Sequence, residues 1–446
     1  MSENPCTEKT SNRRQFLRTG SILATAVAAV ASAPVNPANA AEGSIFPKGF
    51  AWGAATAAHQ VEGNNINSDL WVLEHLKPSM FAEPSGDACD HYHRYAEDIK
   101  LLAGLGLNTY RFGIEWSRIE PEEGCFSTAE LEHYRRMLGA CHEHNLKAMV
   151  TFSHFTVPRW FAAMGGWEEP RSTDLFVRFA ERAARHLGDQ IDFATTFNEP
   201  DVPSLISWMN MDMHLVDTAP MMKKAAQAIG SDRFGSFLFG DRDKLAQHMI
   251  AAHHKGRDAM KGGPGRYPVG VNLAISDDQA VGPNSGRDRK RKEVYGAWLE
   301  AASKSDFVGV QTYTRARVGK DKDLAPEPGV ELTQTGWEFW PEALEQTIRY
   351  AAAQAKVPVY VTENGIATDD DTRRVEYIQR ALKGVENCLH DKVDVRGYIH
   401  WSLLDNFEWV SGFKPKFGLV AVNRETQERT VKPSARYLGE FARANG

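Results

Sequence analysis

Two glutamates in this chain stand at positions where side chains usually do chemistry. Glu363 ends the apolar run 359–362 and is followed by Asn-Gly, and Glu199 ends the run 193–198 and is followed by Pro200. β-Branched and aromatic residues favour strands, and Asn-Gly or Pro ends them. A buried carboxylate without a partner is costly, so a glutamate at the end of a buried strand normally has a partner or a function. Two such carboxyl groups on one scaffold predict paired acid/base chemistry.

The elements that would position these carboxyl groups alternate regularly along the chain. Eight apolar strand patterns alternate with helix patterns, and no other period repeats. The predicted strands are 50–56, 107–112, 147–152, 193–199, 267–275, 307–313, 359–363 and 395–401. Such alternation predicts an α/β fold, a single (β/α)8 TIM barrel with long βα loops. A doubly wound open sheet is the alternative, but it would need a glycine-rich phosphate turn after the first strand, and Trp52-Gly53-Ala54-Ala55 is not one.

Polar and aromatic side chains gather at the ends of these strands. They are Gln60, Arg111, His154, Asn198, Glu199, Tyr313, Glu363 and Trp401. Because the carboxyl ends of barrel strands share the face where catalysis takes place, we expect these residues around one mouth. Arg111 and Tyr313 could then hold Glu363 ionised by charge and hydrogen bonding. Pro200 should keep Glu199 out of the right-handed helical region. One protonated and one ionised carboxyl group is what cleavage of a glycosidic bond requires, and Asn198 could donate a hydrogen bond to a sugar hydroxyl.

Length and composition limit the classes of protein. The 446 residues can bury a large core, and they fit one barrel with long loops. A net charge of −6 argues against nucleic acid as the main partner. Between 201 and 241 the chain is poorly patterned and rich in Met, Asp and Gly, which we interpret as a long active-site loop. Cys89, Cys125, Cys141 and Cys388 show no metal-like spacing and are expected to be small core residues.

The first 40 residues contain the three parts of an export signal in order. Residues 12–18 form a twin-arginine pattern, residues 21–33 are small and apolar, and residues 38–40 form an A-x-A cleavage site. We therefore predict a signal peptide over 1–40, export by the twin-arginine machinery, and a barrel catalytic domain over 41–446. The mature protein is expected to be periplasmic or secreted. It is not expected at a membrane, because no other stretch is long and apolar enough to cross one.

Short motifs at the strand ends occur in a characteristic order. They are Phe46-Pro47, Phe50 to Thr56, Gln60 to Gly63, Tyr110 to Phe112, Trp116 to Arg118, His154-Phe155, Thr196 to Pro200, Thr362 to Gly365, and Trp401 to Trp409. Each motif is weak alone, but in this order and at these spacings they are highly specific. Over essentially its whole mature length, the chain resembles glycoside hydrolase family 1, the retaining β-glucosidases and their relatives.

The resemblance implies a role for each site residue. Glu199 would be the general acid/base and Glu363 the nucleophile of a retaining exo-β-glycosidase, most simply a β-glucosidase acting on terminal non-reducing β-D-glycosyl residues. The sugar would be bound by Gln60, His154, Asn198, Glu408 and Trp409, with Trp401 as its stacking floor and with Arg111 and Tyr313 supporting the nucleophile. Double displacement with retention predicts carboxyl groups about 5 to 5.5 Å apart. No metal or organic cofactor is implied, and the partner is a small-molecule glycoside or oligosaccharide.

Three departures from the family pattern leave the leaving-group side open. Gln311 stands where an asparagine is usual, residues 156–158 read Thr-Val-Pro in place of Asp-Leu-Pro, and residues 207–211 stand in place of a Gly-Tyr segment. The pair Glu408-Trp409 favours an unphosphorylated sugar, because members that act on 6-phosphosugars lack it. Glucose, galactose, fucose and other sugars are all compatible with the motifs. A non-catalytic periplasmic sugar-binding barrel and a transglycosylase are the alternative functions.

Overall fold

The computed structural model describes residues 44–209 and 218–446. A closed barrel of eight parallel strands lies at its centre. The barrel strands are β1 (Ala51–Ala55), β2 (Thr109–Gly113), β3 (Lys147–Ser153), β4 (Phe193–Asn198), β5 (Val269–Ala274), β6 (Phe307–Gln311), β7 (Val359–Glu363) and β8 (Val395–Trp401). Each strand pairs with the next and β8 closes on β1, so the predicted (β/α)8 barrel is confirmed and the open sheet is excluded. The predicted signal peptide lies outside the described residues.

The barrel strands are buried on both faces, which explains their nearly continuous apolar runs. The register places Ala55 beside Trp401 where β1 meets β8. It also places Gln311 beside Glu363 where β6 meets β7. Side chains of paired residues in neighbouring strands point to the same face. Gln311 and Glu363 therefore share one surface at the carboxyl end of the barrel.

Long helices cover the outside of the barrel. They are His91–Leu105, Thr128–Glu143, Ser172–Leu187, Arg242–Lys261, Ala343–Ala355, Asp371–His390 and Pro433–Asn445, together with the continuous segments Arg287–Arg291, Lys292–Gly296 (a π-helical turn) and Ala297–Ala302. The helix between β3 and β4 buries Leu175, Phe179 and Ala183 on one face, at the spacing of helical turns. The helix before β5 begins after Asp241, whose side chain accepts hydrogen bonds from two backbone N–H groups of the first turn.

The segment 201–241 is not the long loop that its pattern predicted. It contains the helices Val202–Ile206 and Ala219–Ala228, and residues 210–217 lie outside the described part of the chain. The second helix is rich in Ala, Met and Lys, which are good helix formers. Its buried residues are Ala225 and Ala226, so it shows no wide apolar stripe from which its period could be recognised.

Two small sheets beyond the barrel were also not predicted. Asp277–Ala280 pairs in parallel with Arg315–Val318, and Val420–Val422 pairs in antiparallel with Arg429–Val431. The first sheet contains several charged residues, which are depleted in strands. Its Asp278 is paired with the buried ammonium group of Lys290 at 2.7 Å, so a tertiary contact overrides the local preference. The other helices are short: Ala58–Val61, Asp69–Glu74, Trp116–Ile119, Arg159–Ala163, and the 3-10 turns Gly166–Glu168, Gly188–Gln190 and Trp409–Ser411.

The cysteines follow the sequence expectation with one exception. Cys89, Cys141 and Cys388 are free and buried. Cys125 is exposed, because it closes a surface turn in which its N–H donates to the carbonyl of Glu122 at 2.9 Å. Across 44–209 and 218–446, no helix combines the length and the apolar character that crossing a membrane requires.

Candidate active site

The carboxyl ends of the barrel strands carry the candidate site residues. Asn198, Glu363 and Trp401 are the last residues of β4, β7 and β8. The others lie within or just beyond strand ends: Gln60 in the helix after β1, Arg111 in β2, His154 after β3, Glu199 after β4, Tyr313 after β6, and Glu408 and Trp409 after β8. The structure therefore brings all of these residues to one end of the barrel.

Glu363 is held by a cation and a hydroxyl group. Arg111 donates from Nη1 to one carboxylate oxygen at 2.6 Å, and the Tyr313 hydroxyl donates to the other at 2.5 Å. Glu363 is 4% exposed and Arg111 is fully buried, so this pair lies away from bulk water. Burial raises the pKa of the Tyr313 hydroxyl well above its usual range, which keeps its proton available for donation. The carboxylate thus has a fixed orientation at the end of β7.

Glu199 lies in a different environment. Its φ is +44°, so it lies outside the right-handed helical region but in the left-handed region, whereas a residue before proline usually has extended backbone. Its N–H donates to the carbonyl of Asn272 in β5 at 2.9 Å. The residue is partly exposed, and its carboxyl group has no hydrogen-bond donor among the described residues. Glu199 is therefore free to interact with a group that enters the mouth.

The two carboxyl groups differ in their proton affinity. Burial, followed by the negative charge of Glu363, raises the pKa of Glu199 well above its ordinary value. Burial also raises the pKa of Glu363, but Arg111 and Tyr313 act in the opposite direction. The negative charge of each carboxyl group opposes ionisation of the other. The contacts with Arg111 and Tyr313 favour ionisation of Glu363 over that of Glu199. Glycosidic bond cleavage requires one protonated and one ionised carboxyl group.

The Asn198 side chain links Arg111 of β2 to Gln311, the last residue of β6. Its side-chain oxygen accepts from Arg111 Nη2 at 2.5 Å and from Gln311 Nε2 at 2.8 Å. The Asn198 amide nitrogen has no hydrogen-bond partner among the described residues. Both donors thus occupy the oxygen, and the nitrogen is available to donate to a ligand.

Two buried polar atoms on the opposite side of the site have no partner. Gln60 donates from Nε2 to Asn406 Oδ1 at 3.0 Å and to the carbonyl of Phe407 at 2.8 Å, while its Oε1 accepts nothing from the described residues. Nδ1 of His154 is also buried without a partner. Burial, followed by the charge of Arg111, lowers the pKa of His154 well below its usual range, so the imidazole is neutral. Buried polar atoms normally have partners, and these two are suited to sugar hydroxyl groups.

Trp401, Glu408 and Trp409 form one wall with His154. Trp401 donates from Nε1 to Glu408 Oε1 at 3.2 Å. The His154 ring lies 5.7 Å from the Trp401 ring and 6.0 Å from the Trp409 ring, inclined by 25° in each case. Burial raises the pKa of Glu408 well above its ordinary value. A flat aromatic surface beside a carboxyl group is suited to the apolar face and the hydroxyl edge of a sugar.

Three aromatic residues that support this wall were not predicted. His59 stacks on Trp409, with the rings 5.9 Å apart and inclined by 7°. Phe155 adopts a left-handed φ of +71° and lies 5.2 Å from Trp409. Phe237, which follows the two helices of the segment 201–241, stacks on Phe155, with the rings 5.2 Å apart. No local pattern could have paired these residues, because they belong to three different βα loops.

The Asn-Gly that follows Glu363 has a structural explanation. A Cβ atom on Gly365 would lie 2.0 Å from the carbonyl oxygen of Trp401. Asn364 accepts at its backbone oxygen from the Trp401 N–H at 3.0 Å, and its side chain donates to the carbonyl of Thr312 at 2.7 Å. The end of β7 is therefore fastened to both neighbouring strands at the point where the carboxylate emerges.

Metal-binding side chains are not grouped in the described residues. Within 44–209 and 218–446, no group of three or more His, Cys, Asp or Glu side chains has an arrangement that could hold a metal ion.

Known proteins with the same fold are similar to this chain over nearly its full length. The model of glycosyl hydrolase family 1 matches residues 42–229 and 293–446. β-Glucosidase A of Acetivibrio thermocellus is 30% identical, with 90% of this chain and 99% of that protein aligned. Thermostable β-glucosidase B of Thermobispora bispora is also 30% identical, with 94% of this chain and 95% of that protein aligned.

Solved structures agree with these matches. The apo structure of the β-glucosidase designated 1317 is 50% identical and superposes with a TM-score of 0.87, covering 89% of this chain and 98% of that one. The crystal structure of the β-glycosidase BGL167 is 51% identical, with a TM-score of 0.85 and coverage of 90% and 97%. From the barrel, the family match and these relatives, we conclude that the chain belongs to glycosyl hydrolase family 1 and is a glycoside hydrolase of the β-glucosidase type.

Proposed function

We propose that the protein is a retaining exo-β-glycosidase, most simply a β-glucosidase, that hydrolyses terminal non-reducing β-D-glycosyl residues by double displacement. The observation that carries this proposal is the asymmetry of the two carboxyl groups. Glu363 receives hydrogen bonds from Arg111 and Tyr313, whereas Glu199 receives none from the described residues and is partly exposed. An ionised, oriented carboxylate is suited to nucleophilic attack, and a protonated, accessible one is suited to general acid catalysis.

In the first step, a Glu363 oxygen attacks the anomeric carbon of the bound sugar. The bond between that carbon and the leaving-group oxygen breaks, and Glu199 gives its proton to this oxygen. The product is a glycosyl ester of Glu363 and a free alcohol. Developing positive charge at the sugar lies beside the Glu363 carboxylate, which stabilises it electrostatically.

Formation of the ester also prepares the second step. The charge of Glu363 is one cause of the raised pKa of Glu199, and esterification removes that charge. The pKa of Glu199 consequently falls, so that its carboxylate becomes a base for an incoming water molecule. Water attacks the anomeric carbon, Glu199 takes its proton, and Glu363 leaves as a carboxylate. Two inversions at one carbon give retained configuration.

The polar atoms without partners support recognition of one terminal sugar. Gln60 Oε1 is a buried acceptor, His154 Nδ1 is a buried ring nitrogen that donates or accepts according to the tautomer, the Asn198 amide nitrogen is a donor, and Trp401 supplies a flat surface. The pair Glu408-Trp409, which members that act on 6-phosphosugars lack, lies in the wall of the site with Trp401 and supports an unphosphorylated sugar. A panel of aryl β-glycosides and their 6-phosphates tests this preference, and we expect the unphosphorylated glucoside to have the highest kcat/KM.

Variants of the two glutamates test the mechanism. Glu363→Ala should lose hydrolysis of aryl β-glucosides. Added azide can enter the space that the carboxylate vacates and attack the anomeric carbon from there, so the product should be the α-glycosyl azide. Glu199→Ala should retain glycosylation by an activated aryl glucoside, and azide should then give the β-glycosyl azide, because it attacks the glycosyl ester from the side that water uses. Glu345→Ala, on an outer helix, is the matched control, and thermal unfolding of each variant checks the fold. Normal turnover by Glu363→Ala, or an inverted first product from the unmodified enzyme, would refute the proposal.

We also propose that residues 1–40 are a twin-arginine signal peptide and that the enzyme acts in the periplasm or outside the cell. The proposal is supported by the order of the twin-arginine pattern, the apolar run and the A-x-A site. Cell fractionation should locate the enzyme outside the cytoplasm, with a mature N-terminus near Ala41. Replacing Arg13 and Arg14 by lysine should block export. A cytoplasmic enzyme with an intact N-terminus would contradict this location.

A further inference from the structure

Gln311 lies beside Glu363 at the end of the barrel, at a position outside the set of residues implied by the family motifs. It is the last residue of β6, it is 1% exposed, and the strand register pairs it with Glu363. The backbone continues this pairing, since the N–H of Thr312 donates to the Glu363 carbonyl at 3.2 Å. Because the family pattern has an asparagine at this position, the side chain here is longer by one methylene group.

The orientation of the Gln311 amide follows from hydrogen-bond chemistry. An arginine can only donate, so the Asn198 atom that faces Arg111 at 2.5 Å must be the oxygen. That oxygen also faces the Gln311 amide at 2.8 Å, so the Gln311 atom in this contact must be the nitrogen. Gln311 Oε1 is buried and has no partner among the described residues. The amide of Gln311 is therefore fixed by its donor side alone.

Three hydrogen bonds connect Gln311 to the carboxylate. The Gln311 amide nitrogen donates to the Asn198 oxygen, and Arg111 Nη2 donates to the same oxygen. Arg111 Nη1 donates to Glu363 at 2.6 Å and to the carbonyl of Thr362 at 3.1 Å. Arg111 is further held by the Thr151 hydroxyl, which accepts from its Nε at 3.2 Å. Every member of this chain is buried, so its hydrogen bonds are not exchanged with bulk water.

We propose that Gln311 is a positioning residue for the hydrolytic reaction. It holds Asn198 so that the Asn198 nitrogen faces the sugar, and through Asn198 and Arg111 it holds the Glu363 carboxylate in line with the anomeric carbon. This inference rests on the proposed roles of Glu363 and Asn198.

The charges around Glu363 set the direction of the effect on pH dependence. The groups that face it are Arg111 from β2, Glu199 from the end of β4, Tyr313 from the loop after β6, and Glu408 from the loop after β8. Burial raises the pKa of Glu363, and Arg111, Tyr313 and, last, the neighbouring Gln311 amide lower it. Loss of this donor raises the pKa, and the nucleophile must be ionised to react. The acid limb of kcat/KM should therefore move to higher pH.

Three substitutions separate positioning from folding, and two of them keep a side chain close to glutamine in volume. Gln311→Met removes the donor, Gln311→Glu replaces it with an acceptor, and Gln311→Asn keeps an amide that is one methylene shorter. We expect Gln311→Met and Gln311→Glu to slow labelling of Glu363 by a 2-deoxy-2-fluoro aryl glucoside by about ten- to a hundredfold. We also expect both to move the acid limb of kcat/KM to higher pH, the glutamate further than the methionine. Gln311→Asn should recover part of the labelling rate and the limb of the unsubstituted enzyme.

Gln190 offers a matched control, because it lies in the turn before β4, at the opposite end of the barrel. Gln190→Met should leave the pH profile and the labelling rate unchanged. The proposal fails if Gln311→Met and Gln311→Glu keep the normal acid limb, including the case in which activity falls only in proportion to lost thermal stability. Glu363→Ala, measured in parallel, distinguishes the two levels of inference. If that variant retains activity the proposed mechanism fails, whereas an inactive Glu363→Ala with normal Gln311 variants refutes only the role of Gln311.

Discussion

The contact between Tyr313 and Glu363 gives the sharpest test of the site, because one oxygen atom can be removed from it. Tyr313→Phe deletes the hydroxyl group that donates to Glu363 at 2.5 Å. The aromatic ring and its contacts with Trp337 and Phe417, at 5.5 and 5.7 Å, are retained. The substitution therefore changes the electrostatic environment of the carboxylate with little change in packing.

The structure gives both the size and the sign of the effect. A hydrogen bond to a charged group contributes about 1.5 to 3 kcal/mol, which corresponds to about a tenfold to a hundredfold change in rate if it is needed in the transition state. Arg111 remains in place, so the loss should not be complete. The hydroxyl lowers the pKa of Glu363, so its removal raises that pKa. In the proposed mechanism Glu363 must be ionised to attack, so the acid limb of kcat/KM should shift to higher pH.

The assay is the pH dependence of kcat/KM for an aryl β-glucoside, measured for the unsubstituted enzyme and for Tyr313→Phe. Tyr267→Phe is the control, because Tyr267 is also buried but its hydroxyl group donates to the carbonyl of Met260, 3.4 Å away in an outer helix. We expect the control to match the unsubstituted enzyme. An unchanged acid limb in Tyr313→Phe would show that its hydroxyl does not stabilise the ionised nucleophile, and the assignment of Glu363 as the held carboxylate would have to be abandoned.

Three further predictions concern stability and local geometry. Because the pKa of Glu199 is raised in the folded state, its ionised form lowers the stability of the protein at neutral pH. Glu199→Gln should therefore have a higher Tm than the unsubstituted enzyme at pH 7, and this difference should disappear as the pH falls. Equal Tm values of the two proteins at pH 7 would contradict the prediction. Gly365→Ala places a Cβ 2.0 Å from the Trp401 carbonyl oxygen. It should lower the free energy of unfolding in urea by about 1 to 3 kcal/mol and also lower kcat. Unchanged values of both would refute the close approach. Lys290→Met removes the cation that pairs with Asp278 at 2.7 Å and Asp323 at 2.8 Å, and leaves Asp278 only Arg291 at 3.8 Å. It should cost about 3 kcal/mol at pH 7, whereas unaltered unfolding would show that the pair is not needed.

Much of the site could be predicted because it depends on strand ends. The positions of Glu199 and Glu363 followed from apolar runs that stop at Pro or Asn-Gly, and the barrel topology places such ends on one face. The contacts of Arg111 and Tyr313 with Glu363, which the strand ends suggested, are present in the structure.

The parts that could not be predicted depend on loops that meet in space. Phe237 reaches Phe155, and Phe155 reaches Trp409, although these residues lie in loops after three different strands. The charged sheet at Asp277–Ala280 is stabilised by a tertiary contact that outweighs local preference. The helix Ala219–Ala228 could not be recognised because it has no wide apolar stripe. In the sequence, Gln311 was only a residue at a position where asparagine is usual. Its hydrogen bond to Asn198 in the structure supports the proposed positioning role.

By itself, the sequence determined the order of strands and helices and the residue types at the strand ends, because hydrophobic period and turn signals act over a few residues. It suggested that Arg111 and Tyr313 could hold Glu363, and only the family resemblance implied a role for each of the two glutamates. The tertiary structure decided which one is held by Arg111 and which one has no donor among the described residues. The physical reason is that proton affinity depends on burial and on the distances to charges that lie far away in the chain, as for Arg111 and Glu363, 252 residues apart.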